Sequence, residues 1–180
     1  MKIGVIGAGM VGGALGKRFA EAGHDVVYGV REPDQEKYSG LLEESGNGAR
    51  TTGIVDAIAY GETVVLAVPW EAVEESVRLG SDWSGKLILD ATNAIVRGPD
   101  GRRIDPGLSG GEQVAGWAPE ARVVKIFNST GFNVMEDPSF PDGAATILYC
   151  GDDEESKAAA AGLAEEIGFE LGDTYTGGGS

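Results

Sequence analysis

Cysteine and histidine are almost missing from this sequence: Cys150 is the only thiol and His24 the only imidazole. One cysteine excludes an intramolecular disulfide and a thiolate metal cluster, and one histidine leaves little material for a zinc site or for Ser-His-Asp or Cys-His chemistry. Cys150 ends the apolar run TILYC and reads as a buried small side chain. His24 falls in a turn after a predicted helix, at the end of the chain's first unit away from any ligand crevice, and no metal ligands are assigned. Positive charge is also scarce. Fourteen Lys and Arg stand against 29 Asp and Glu, a net charge of −15, which disfavours nucleic acid and anionic membrane as partners. Apolar runs are short of membrane-spanning length, and no secretory signal is visible, so a soluble, cytoplasmic protein acting on a small molecule is expected. The length of 180 residues predicts one domain over 1–175, followed by a flexible tail, 176–180, of glycines and serine.

What the chain does have is glycine, 30 residues of it, and the first stretch uses glycine with a purpose. Lys2–Ile6 is a short apolar run suited to a strand buried on both faces, and Gly7-Ala8-Gly9-Met10-Val11-Gly12 follows it directly. This is G-x-G-x-x-G between a strand and a helix. Gly7 permits the tight turn, Gly9 lets backbone approach a pyrophosphate, and Gly12 lets the new helix pack closely. The free N–H groups and positive dipole end of that helix then face the phosphates. In so glycine-rich a chain the motif alone is weak. Its context supplies the specificity: Leu15, Phe19 and Ala22 recur at helical spacing, Gly23 ends the helix, and Asp25–Gly29 rises as a second strand. A dinucleotide-binding site is the expectation.

The end of the second strand selects the cofactor. An NAD site would place Asp or Glu there for the ribose hydroxyls, whereas this chain has Val30-Arg31. Arg31 is suited to a 2′-phosphate and to stacking on adenine, which favours NADP; Glu32, one residue on, is the alternative ribose acid. Further strands are predicted at Thr63–Val68, Lys86–Asp90, Arg122–Phe127 and Ala144–Cys150, with a last edge strand in Gly168–Leu171. Helices are predicted in Pro33–Gly46, Ile54–Tyr60, Glu71–Leu79, Ser109–Trp117, Phe132–Glu136 and Glu154–Ile167. Strands alternating with helices give an α/β fold of Rossmann type, a doubly wound, mainly parallel sheet with helices on both faces. At the ligand-facing strand ends the candidates are the backbone of Ala67, Val68 and Pro69, with Trp70 as either a ring contact or core packing. Asn93 and the Asn128-Ser129-Thr130 turn offer neutral hydrogen-bonding groups for a carboxamide or heterocycle. No catalytic side chain is assigned, because no His, Lys or Tyr stands out near a strand end.

Four segments carry a resemblance to a known family: KIGVIGAGMVGGALGKRFAEAGHDVV, then VVLAVPWEAV at Val64–Val73, VVKIFNSTGFNVM at Val123–Met135 and CGDDEESKAAAAGLAEEIGF at Cys150–Phe169. Together they span most of the chain. They resemble the NADPH-dependent reductases typified by the NADP oxidoreductase of coenzyme F420, a deazaflavin hydride carrier. The resemblance implies that the glycine turn holds NADP pyrophosphate and that a Ser-Arg pair after the second strand grips the 2′-phosphate. Arg31 matches the Arg and Val30 replaces the Ser, so one phosphate ligand is lost. Similar proteins continue past the last strand into further helix that forms part of the deazaflavin pocket and the homodimer contact, whereas this sequence ends in GGGS. The reaction implied is hydride transfer between NADP(H) and a second planar carrier, which needs stacked rings more than a side-chain acid or base. Two alternatives stand beside it: a reductase of an imine, carbonyl, flavin or metal chelate, and a non-catalytic NADP-sensing module.

Overall fold

A computed structural model describes residues 1–97, 100, 103–104 and 107–172; the proposed tail at 176–180 lies outside the described residues. The opening reads through from sequence to structure: β1 (Lys2–Ile6), α1 (Met10–Glu21) and β2 (Asp25–Val30) follow one another. They are joined by α2 (Ser39–Ser45), β3 (Arg50–Gly53), α3 (Ile54–Tyr60), β4 (Thr63–Leu66), α4 (Val73–Arg78) and β5 (Leu87–Asp90). The second half adds α5 (Gly110–Trp117), β6 (Arg122–Ile126), α6 (Phe132–Glu136), β7 (Tyr149–Cys150) and α7 (Glu154–Glu166). Seven strands form one sheet in the order β7-β6-β5-β4-β1-β2-β3, all pairs parallel except β7 on β6. The chain runs outward from β1 to β3, then returns to β4 on the other side of β1. That reversal makes a switch point, where the loops after β1 and β4 diverge and leave a crevice.

Alternation along each strand divides the core between the two faces of the sheet. Ile3, Val5, Val65 and Leu89 meet α1, α6 and α7 through Leu15, Phe19, Met135 and Leu163. Ile6, Val64, Leu66 and Ile88 meet α3, α4 and α5 through Ile58, Val77 and Val114. Two glycines set how closely the layers approach. A Cβ on Gly4 would lie 2.3 Å from the Ala57 carbonyl oxygen of α3, and one on Gly16 would lie 2.4 Å from the Tyr28 ring. Tyr28 is fully buried, its hydroxyl 2.8 Å from Ser45 Oγ, and burial pushes its phenol up to about 12 against the opposing effect of that hydrogen bond.

Several sequence expectations shift. Arg50–Gly53 forms an edge strand although RTTG has no apolar alternation, because its neighbour β2 supplies the pairing. The strand predicted at Thr63–Val68 stops at Leu66, which frees Ala67–Pro69 as loop. The strand predicted over Ala144–Cys150 breaks into three pieces. Gly143–Ala144 pairs antiparallel with Ser139–Phe140, Thr146–Ile147 pairs parallel with Glu170–Leu171, and only Tyr149–Cys150 joins the main sheet. Cys150, expected to be buried, is exposed on that edge. The long segment before β6 holds a two-stranded ribbon, Val96–Arg97 with Arg103–Ile104, and α5. Ser109 caps α5 as expected, in a full capping box: its Oγ accepts the Glu112 N–H at 3.3 Å and the Glu112 carboxylate accepts the Ser109 N–H at 2.7 Å. Among the described residues no helix is long and apolar enough to cross a membrane.

Candidate functional site

The glycine turn lies at the switch point, and its three glycines are constrained in three different ways. Gly7 has φ +100°, donates its N–H to the Gly29 carbonyl at 3.0 Å, and would bring a Cβ to 2.6 Å from the Ala67 carbonyl oxygen. Gly12 sits so close beneath the turn that a Cβ would lie 2.0 Å from the Gly7 carbonyl oxygen. A Cβ on Gly9 would meet nothing within 4 Å, so at that position the space is open on the solvent side. Gly9 is also the N-cap of α1. No side chain caps this end and no acidic residue occupies its first turn, so the orphan N–H groups are available to an anion. An open cradle over an uncapped helix end fits a pyrophosphate.

A cleft of about 680 Å³ opens here. It brings together Gly7, Ala8 and Gly9 from the turn, Val30 and Arg31 from the end of β2, and Val68 and Pro69 after β4. Ala67, expected beside Val68 and Pro69, does not line the cleft; its N–H is bound to the Ile6 carbonyl at 2.9 Å. Met10, Val11 and Gly12 belong to the first turn of α1 and do not line it: Met10 projects into solvent and Val11 packs on the core. Arg31 is exposed and makes no hydrogen bond or ion pair with any described residue. Glu32, the alternative ribose acid, accepts a hydrogen bond from the Gln35 side-chain amide. Lys37 also lines the cleft, its ammonium 4.9 Å from the centre of the Tyr38 ring. Arg31 and Lys37 set two cations against the one carboxylate of Glu32 on the lining of this cleft, a local positive excess in a chain with net charge −15. Gly29, Tyr38, Leu41, Ile54, Ala72 and Ser76 also line the cleft. They come from elements distant in sequence, and no local pattern singled them out.

The remaining candidates lie elsewhere. Trp70 does not line the cleft; its ring packs 5.7 Å from that of Trp117, beside Gly110, which is the core-packing alternative. Asn93 follows β5, and its Nδ2 donates to the Asn128 carbonyl at 3.2 Å, tying the ends of β5 and β6 together. Asn128, Ser129 and Thr130 follow Phe127, which is fully buried at φ 69° with its ring against Phe19 and Phe169. A bulky residue held in the left-handed region at a strand end is strained, and the packed ring is what holds it there.

A lysine does stand near a strand end, contrary to the expectation from sequence. Lys125, next to last in β6, pairs with Asp90, the last residue of β5, and its ammonium lies 2.9 Å from Asp90 Oδ2. It also donates to the Thr92 carbonyl and lies 3.4 Å from Thr92 Oγ1. Asp90 is fully buried, and its Oδ1 accepts the Thr92 N–H at 2.9 Å and the Thr92 hydroxyl at 2.6 Å. No sequence signal marked the pair, because its members are 35 positions apart and only strand pairing joins them.

Known proteins resemble this chain over most of its length. The chain is 28% identical over 169 residues to Metalloreductase STEAP3 of Rattus norvegicus, covering 93% of this chain and 32% of that protein, so it spans about a third of the larger relative. It is 33% identical over 185 residues to the F420-dependent NADP reductase of Methanothermobacter thermautotrophicus, covering 93% of this chain and 77% of the relative. A crystal structure from Arthrobacter sp. FB24, described as that of a candidate F420-dependent NADP-reductase, superposes with a TM-score of 0.85 at 28% identity, over 95% of this chain and 83% of that one. The family described as NADP oxidoreductase, coenzyme F420-dependent, matches residues 2–94. That match takes in the whole dinucleotide half of the sheet, from the glycine turn through Arg31 to Asn93, and the chain belongs to this family of NADP-dependent oxidoreductases.

Proposed function

We propose that residues 1–175 form a single domain that binds NADPH across the switch-point crevice and presents it to a deazaflavin acceptor, coenzyme F420. The observation that carries the reading is the joining, in one cleft, of an open glycine cradle at an uncapped helix end with a cation, Arg31, that has no partner among the described residues. The turn Gly7–Gly12 receives the pyrophosphate, and Arg31, with Lys37 near it, holds the 2′-phosphate. Val30 offers no hydrogen bond there, so Arg31 carries more of the discrimination between NADP and NAD. The loop Ala67–Pro69 contacts the cofactor past the pyrophosphate, and Asn93 with Asn128, Ser129 and Thr130 faces its carboxamide end. NADPH supplies a hydride, which with one solvent proton reduces the acceptor ring. The protein's part is to align two planar rings at close range, and no side-chain nucleophile is required.

The likeness to the archaeal F420-dependent NADP reductase supports the deazaflavin as acceptor, and the likeness to a metalloreductase makes a metal chelate the second reading. Mixing the protein with NADPH and oxidised F420 and following nicotinamide absorbance tests the first; NADPH consumption is expected. Tight NADPH binding without oxidation by F420 would remove the deazaflavin reading. Consumption with a metal chelate instead would establish the second, and consumption with neither would remove both.

Arg31→Ala isolates cofactor choice. Loss of a charge-assisted contact to phosphate is expected to weaken NADPH binding roughly 10- to 100-fold, while NADH changes by less than about twofold. Isothermal titration with both cofactors measures this. Equal losses for the two would show that Arg31 does not contact the 2′-phosphate.

A further inference from the structure

The network of Asp90, Thr92 and Lys125 does not line the cleft, but strand register places it at the same end of the sheet. Strand pairing sets Ile6, Leu66, Asp90 and Lys125 in one row, and Gly7 begins immediately after Ile6. Adjacent strands are about 4.8 Å apart, so Lys125 stands about 14 Å from Ile6, three strands along the crevice. Arg31 lies on the opposite side of the glycine turn, at the end of β2. A dinucleotide whose 2′-phosphate end is at β2 therefore extends its other half over β4, β5 and β6, toward this network.

A lysine beside a reductase crevice invites the role of proton donor, and its bonding argues against that. An ammonium has three N–H donors, and three acceptors surround it here: Asp90 Oδ2, the Thr92 carbonyl and Thr92 Oγ1. Its side chain is only 16% exposed. Asp90 is equally committed, with Oδ1 accepting both the N–H and the hydroxyl of Thr92 and Oδ2 accepting Lys125. The Lys125–Asp90 pair ties β6 to the end of β5, and the other four contacts fix residue 92 to that pair. The next residue, Asn93, then reaches the Asn128 carbonyl at 3.2 Å. The network sets the position of the two segments that face the carboxamide end.

We infer that Asp90, Thr92 and Lys125 are positioning residues that preorganise the seat of the nicotinamide half of the cofactor, without touching it. The inference rests on the NADPH reading above. It separates the two halves of the ligand: disturbing the network weakens whatever depends on the nicotinamide end and spares the adenosine end at Arg31 and the glycine turn.

The test compares binding of NADPH with binding of adenosine 2′,5′-bisphosphate, which lacks the nicotinamide half, by calorimetric titration of the full chain. In Lys125→Met, NADPH affinity is expected to fall roughly tenfold while adenosine 2′,5′-bisphosphate changes by less than about twofold. Lys125→Met strips a buried carboxylate of its counter-charge, so Thr92→Val, which keeps both charges and the volume, serves as the second variant. It is expected to shift the ratio of the two affinities in the same direction by roughly threefold. Parallel loss of both ligands, or no change in either, in the folded variants would overturn the positioning role while the NADPH reading stands. Wild-type protein that binds neither ligand would overturn the NADPH reading and this inference with it.

Discussion

Gly9→Val is expected to abolish NADPH binding while leaving the protein's thermal stability nearly unchanged. A Cβ at this position would meet no protein atom within 4 Å, and Gly9 has φ −82° and ψ −164°, an extended conformation open to any residue. Replacing the N-cap costs about 1 kcal/mol or less, so the unfolding temperature should move by only a few degrees. The branched side chain nevertheless fills the ground above the first N–H groups of α1, where the pyrophosphate would rest. Affinity should fall by about a hundredfold or more, since phosphate oxygens can no longer reach those donors. The neighbouring glycine behaves differently. A methyl at Gly12 would lie 2.0 Å from the Gly7 carbonyl oxygen, backbone against backbone, and would displace the turn itself. Titration with NADPH alongside a thermal melt distinguishes these effects. Retained affinity in Gly9→Val would mean that the dinucleotide does not cross this turn.

The second large effect concerns stability. Lys125→Met leaves the carboxylate of Asp90 fully buried without its cation, and removal of one member of a buried pair typically costs about 3–5 kcal/mol. Asp90→Asn is expected to cost less, about 1–3 kcal/mol. The amide keeps an acceptor for Thr92 or Lys125, and the ammonium, 16% exposed, retains contact with water and with the Thr92 carbonyl. Urea unfolding followed by circular dichroism gives both values from the midpoints. If Asp90→Asn proved the more damaging of the two, charge compensation would not be what the lysine provides.

The dinucleotide half was legible because its signals are local. Lys2–Ile6, the glycine spacing and the helical recurrence of Leu15 and Phe19 lie within one continuous stretch, and strand, turn and helix each follow from neighbours in sequence. The Ser109 cap is local in the same sense, one side chain bonded to a backbone group three residues on. Other elements depended on partners that no window contains. Arg50–Gly53 is a strand only because β2 offers an edge, and Ala144–Cys150 divides because three different neighbours claim its parts. Trp70 carried no sign of its direction until Trp117 and Gly110 stood beside it.

By itself the sequence determined a strand, a glycine turn and a helix able to take a pyrophosphate, and an arginine placed just after the second strand. These are properties of adjacent residues: the φ freedom of Gly7, the dipole of α1 and the fixed charge of Arg31. The tertiary structure alone decided that Arg31 and the turn share one cleft, that Trp70 faces Trp117, and that Lys125 is committed to Asp90 and Thr92. Strand register made those choices, because parallel pairing aligns strand ends that crossovers of tens of residues keep apart in sequence.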